Sequence, residues 1–183
     1  NPAFIAADFL SQAEHGVDSQ AMLVTASESI VEPVMQAIRE QLDRLPRKEI
    51  TEKSLSHSRL IVLKDKQEVI DFTNLYAPEH LIIQTTDYAD IAGQVENAGS
   101  VFMGPYTPES AGDYASGTNH TLPTNGYAKA YSGVNLDSFI KKITFQEITA
   151  DGIRLLGGTI RTMAANEQLD AHKNAVTIRL NTL

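Results

Sequence analysis

The chain has 183 residues, with 23 Asp+Glu against 15 Lys+Arg and a formal charge of −8 with His neutral. That length suits one domain, or one with a small appendage, and a hydrophobic fraction of 42% fits a folded globular protein. The acidic balance argues against nucleic-acid or anionic-membrane partners, which need clustered positive charge, and the absence of Cys excludes disulfides, thiolate metal sites and a Cys nucleophile.

Pro2 starts a helix, with Phe4, Ile5, Phe9 and Leu10 at helical spacing up to Gly16. Residues 21–25 form a short apolar run of buried-strand type. Ser27, Glu28 and Ser29 offer caps for a helix whose stripe is Ile30, Val31, Val34, Met35, Ile38 and Leu42. Residues 44–58 are polar and partly helical. Then come a strand at 59–63, a helix at 66–76, a strand at 81–83, a helix at 88–97 and a strand at 100–104. This alternation is that of a parallel α/β sheet, and the continuous apolar runs predict strands covered on both faces.

From Gly104 to Gly133 the period disappears and Gly, Pro, Ser, Thr, Asn and Tyr dominate. A long irregular loop in a compact domain is usually functional or disordered. Beyond it, residues 136–140 read as helical, 143–145 as a short strand, and a helix capped by Thr149 or Asp151 runs through Ala171, weakened by Gly157 and Gly158. The division is an α/β domain at 1–135, with a site loop at 104–133, and an appendage at 136–183. The appendage is too thinly apolar for a core of its own. The fold class is therefore a partial Rossmann-like parallel sheet flanked by helices, with a small, mainly helical C-terminal appendage. The chain opens Asn1-Pro2-Ala3-Phe4, without Met and straight into helical periodicity, which reads as a piece of a longer protein with no signal peptide in the stretch shown. No run approaches the ~18 apolar residues of a membrane helix.

Neither phosphate cradle, GxxxxGK[ST] or GxGxxG after a strand, is present. Charge is unevenly placed: residues 1–38 hold five acids, residues 71–120 hold seven, and neither segment has a Lys or Arg. Such segments suit a bound cation, or are solvated acidic faces. Gln12 and His15 share one face of the first helix and are either a chelating pair or a surface pair. Glu79 and His80, at a helix–strand junction, supply a carboxylate and an imidazole, the usual acid–base groups, or a capped turn. Asp113 and His120 lie in the run 104–120, which leaves the carboxyl edge of a strand, and offer metal-ligand chemistry. Glu167, Asp170 and His172 cluster near the end, where a solvated helix end is the local reading.

Together these segments resemble histidinol dehydrogenase. The matching stretches are Leu10-Ser11-Gln12-Ala13-Glu14-His15-Gly16, Ala77-Pro78-Glu79-His80-Leu81, the run from Gly99 to His120, and Ala171-His172-Lys173-Asn174-Ala175-Val176. The resemblance implies a cytoplasmic Zn²⁺ enzyme of histidine biosynthesis that oxidises L-histidinol to L-histidine through the aldehyde, reducing two NAD. It implies Gln12, His15, Asp113 and His172 as the zinc ligands and, through the metal, substrate-binding groups. Glu79 and His80 match the acid–base pair, and His120 and Glu167 match substrate contacts. It implies a homodimer in which the appendage completes the partner's site. The family's chain is more than twice this length, and its NAD-binding residues belong to the N-terminal half, so this chain by itself is expected to be inactive. Two other functions remain compatible with the residues: a zinc hydrolase with Glu79 as base, and a non-catalytic dimerisation module.

Overall fold

The computed structural model covers residues 1–183. It comprises two compact units, Asn1–Phe139 and Ile140–Leu183.

In the first unit, α1 (Pro2–Ala13) begins with Pro at its first position, and the Asn1 side chain accepts a hydrogen bond from the Ala3 N–H at 3.0 Å. Its buried residues Ala6 and Leu10 meet Val34 and Ile38 of α2 (Val31–Leu42), with Phe9, Leu23 and Met35 packed around them. The small Ala6 lets the helices approach closely, and this contact is the main apolar core of the unit. α3 (Lys48–Leu55) occupies part of the ambiguous polar stretch, and its buried Ser54 hydroxyl donates to the Ser19 carbonyl at 2.8 Å.

β1 (Met22–Thr25) pairs in parallel with β2 (Arg59–Val62), and Leu23 lies opposite Leu60. α4 (Lys66–Tyr76) starts at Asp65, whose carboxylate accepts from the Glu68 N–H, and ends at Ala77 in the left-handed conformation, φ 54°. That residue turns the chain into β3 (His80–Ile83), which pairs in parallel with β4 (Ser100–Met103). The intervening α5 (Tyr88–Ala92) is shorter than the periodicity suggests.

The α/β alternation is thus present, with short parallel sheets flanked by helices. Two expectations are corrected. The four strands form two separate pairs, β1–β2 and β3–β4, rather than one continuous sheet. The apolar pattern marks a strand but does not encode its neighbour. Nor are the strands covered on both faces: only Ile83 and Phe102 are fully buried, and Val62 and Val101 are exposed.

Within 104–133, α6 (Glu109–Tyr114) interrupts the expected irregular run. Gly104 supplies the turn after β4 at φ 82°. α6 packs on Phe102, so close that a Cβ on Gly112 would sit 2.6 Å from the ring.

The second unit contains α7 (Ala150–Asn166) and α8 (Asp170–Leu180), packed together where Gly157 meets Leu180. Thr149 caps α7 by accepting from the Gly152 N–H at 3.1 Å. Residues 143–145 form no strand; Ile143 and Phe145 are exposed and lack a pairing partner strand. The predicted single helix is broken after Asn166, and Gln168 at φ 61° makes the corner. Of this unit's apolar side chains only Ala164 and Val176 are buried, while Leu155, Met163 and Ile178 are exposed.

Candidate active site

The site is built around Glu109, the first residue of α6, which is 1% exposed. α1 reaches it from one side: the Gln12 amide Nε2 donates a short hydrogen bond to Glu109 Oε2. His15, just past the end of that helix, places Nε2 3.9 Å from Glu109 Oε1. From β3, His80 places Nε2 3.5 Å from the same oxygen. Asp113 lies one turn further along α6, on the face that carries Glu109. The ligand atoms of His15, Glu109 and Asp113 all lie within 4.8 Å of one another.

Two braces hold this arrangement. One turn before Gln12, the Asp8 carboxylate accepts a short hydrogen bond from Gln84 Nε2, tying α1 to the residue after β3. Phe102 lies between Gly112 of α6 and the His80 ring, whose centroid is 6.0 Å from its own. A cleft of about 1340 Å³ opens beside these groups, with Asp8, Gln12, His15, Glu79 and His80 on its wall. The cluster gathers at the amino end of β3, while the chain bearing Glu109 and Asp113 has left the carboxyl end of β4 and returned. A rule placing ligands at carboxyl strand ends therefore locates only the latter part of the site.

Burial sets the electrostatics. It pushes the Glu79 carboxyl above its ordinary range, the Glu109 and Asp113 charges adding to this while His80 and His15 oppose it. Burial also holds the His80 imidazole below its ordinary value, against the pull of Glu79 and Asp113. Glu109 is likewise raised by burial, opposed by the Gln12 hydrogen bond and by His15. Burial thus shifts His80 toward its neutral form and the two carboxyls toward protonation, while the Gln12 hydrogen bond and His15 favour the carboxylate form of Glu109. His80 Nδ1 and Glu109 Oε1 are buried without a hydrogen-bond partner. Open valences of this kind, in a wall of imidazole and carboxylate, fit a borderline divalent cation such as Zn²⁺.

Of the residues singled out from sequence, Gln12, His15, Glu79, His80 and Asp113 come together. His120 is exposed and makes none of these contacts. Glu167 and His172 belong to the second unit, at the end of α7 and in the first turn of α8, both exposed. Glu109 was missed. It lies inside the unusual run after β4, but a lone Glu carries no sequence signal that it will be fully buried.

An α/β fold with a buried acid–imidazole cluster beside a cleft defines an enzyme-like chain with a candidate divalent-metal centre. The histidinol dehydrogenase family model matches residues 1–180, and the chain belongs to that family. It is 67% identical over all 183 residues to the histidinol dehydrogenase of Bacteroides thetaiotaomicron, covering 43% of that protein. It is 56% identical to the chloroplastic histidinol dehydrogenase of Arabidopsis thaliana, covering 40% of it. The crystal structure of histidinol dehydrogenase from Elizabethkingia anophelis superposes with a TM-score of 0.93 at 55% identity, over 100% of this chain and 42% of that one. The chain therefore spans less than half the length of the relatives it matches. No helix is long and apolar enough to cross a membrane.

Proposed function

We propose that this chain supplies the metal and acid–base part of a cytoplasmic histidinol dehydrogenase that oxidises L-histidinol to L-histidine through the aldehyde. The observation that carries the reading is the convergence of Gln12, His15, His80, Glu109 and Asp113, from three separate sequence regions, on one point beside a cleft. Gln12, His15 and Asp113 would hold Zn²⁺, with His172 of a second copy as the fourth ligand. The zinc would supply a charged template for the amine and imidazole of the substrate. NAD, held by residues outside this chain, would supply the hydride acceptor for both oxidations.

The chain's own side chains do the proton work. His80, shifted toward its neutral form by burial, accepts the alcohol proton as the first hydride leaves. Glu79, beside it, takes a proton from water so that hydroxyl adds to the aldehyde. The alkoxide so formed regains that proton, and the hydrate then loses the second hydride together with a hydroxyl proton, taken up by the acid–base pair, to give the carboxylic acid. His120 and Glu167 would contact the substrate, Glu167 from the second copy. The homodimer is supported by the exposed apolar side chains of the second unit, Leu155, Met163 and Ile178, which one copy leaves uncovered. The half-covered strands of the first unit likewise suit a chain of the relatives' length. Alone, these 183 residues would be inactive.

The test is zinc content in a protein of the relatives' full length carrying this chain. Asp113→Ala and His172→Ala should each lower it, and equal zinc in all three proteins would overturn the ligand set. Mixing the two variants should regenerate activity, because one site in each mixed dimer is then intact, about a quarter of the unsubstituted level with random exchange.

A further inference from the structure

A glutamine is an ambivalent metal ligand. Its amide presents Oε1, which can coordinate, or Nε2, which cannot, and rotation by half a turn exchanges them. Something must fix the turn if Gln12 is to serve. The partner that meets it is Glu109, whose Oε2 accepts from Gln12 Nε2. A carboxylate accepts and does not donate, so this contact selects one orientation: Nε2 toward Glu109, Oε1 turned away and free. Burial of Glu109 keeps water from competing for the amide. The remaining oxygen, Oε1, faces the Nε2 atoms of His80 and His15 at 3.5 and 3.9 Å. One buried carboxylate thus touches three groups of the site.

Glu109 itself lies among the atoms close enough to share a cation with His15 and Asp113. The two roles are separable, because a holder acts only while Gln12 is present.

We infer that Glu109 is a positioning residue: its carboxylate locks the Gln12 amide with Oε1 presented to the metal, and the metal affinity of the site depends on that lock. The inference rests on the zinc reading of the site. In outline it is the hydrogen bonding behind a ligand that fixes the ligand's geometry, an effect worth about 10–100-fold in affinity.

The experiment is a zinc-affinity cycle on the protein of full relatives' length, by competition with a chromogenic chelator. Glu109→Gln is isosteric but can donate as well as accept, so it no longer enforces the amide's turn. It should weaken zinc by about 10–100-fold, while adding nothing once Gln12→Ala is in place. The reciprocal pair Gln12→Glu with Glu109→Gln rebuilds the amide–carboxylate bond with the partners exchanged. It should recover the affinity lost in Glu109→Gln and provides the test if that single variant does not fold. Unchanged affinity in Glu109→Gln, an undiminished loss in the Gln12→Ala background, or no recovery in the pair would overturn the inference. A direct ligand would give the second of these results. An unsubstituted protein that binds no zinc would instead overturn the zinc reading itself.

Discussion

Replacing Gly112 by Ala would place a methyl group 2.6 Å from Phe102 Cε1 and 3.0 Å from its Cζ. Carbon atoms pack comfortably at about 3.5–4.0 Å, so α6 and the ring must separate by about 1 Å. The ring is held by β4 and by His80, and the helix has only six residues, so the helix is the part that gives. Glu109 and Asp113 travel with it, away from His15 and His80. Overpacking of this kind costs about 1–3 kcal/mol, offset by up to about 1 kcal/mol because Ala is the better helix residue. The net expectation is a loss of about 1–2 kcal/mol, with a fall in zinc affinity, since a site tolerates about 0.5 Å of misplacement. Thermal midpoints without zinc and chelator competition read the two effects. Phe102→Leu removes the clashing ring atoms, and in that background Gly112→Ala should cost little. An equal loss in both backgrounds, or unchanged zinc affinity in the single variant, would refute the account of how α6 is seated.

Leu10→Ala opens the α1–α2 contact, where Leu10 is 3% exposed, and should cost about 2–5 kcal/mol by denaturant unfolding; a loss below about 1 kcal/mol would contradict the core assignment. Burial holds the His80 pKa below the ordinary 6.5. If the neutral ring is the base, as proposed, kcat/KM should stay level as pH falls to about that value and decline only below it; an acidic limb centred higher would contradict this. Gln168→Gly relieves a left-handed residue at the α7–α8 corner and should raise stability by about 0.5–1 kcal/mol; a lowered thermal midpoint would count against strain there.

Much of the local structure was legible. The apolar runs read at 21–25, 59–63, 81–83 and 100–104 hold the four strands, and Pro2 and Thr149 start helices because each satisfies or dispenses with an amide at a helix's first turn. The metal-type residues of the first unit were legible as types, and the family resemblance grouped them. What was not legible depends on packing. The division of the strands into two pairs, the corner at Gln168 and the coil at 143–145 have no periodic signal. Glu109 is the clearest case: as a sequence letter it is one of 23 acids, and only the approach of α1 and β3 to α6 makes it the centre of the site.

The central claim is that these residues belong to a site that removes two hydrides from histidinol. The most direct measurement is the yield of reduced nicotinamide, by its absorbance, per L-histidinol consumed by the protein of full relatives' length. The account predicts two per substrate, with histidine as the product and both lost in His80→Asn. Consumption of histidinol without nicotinamide reduction, or no consumption at all, would contradict it.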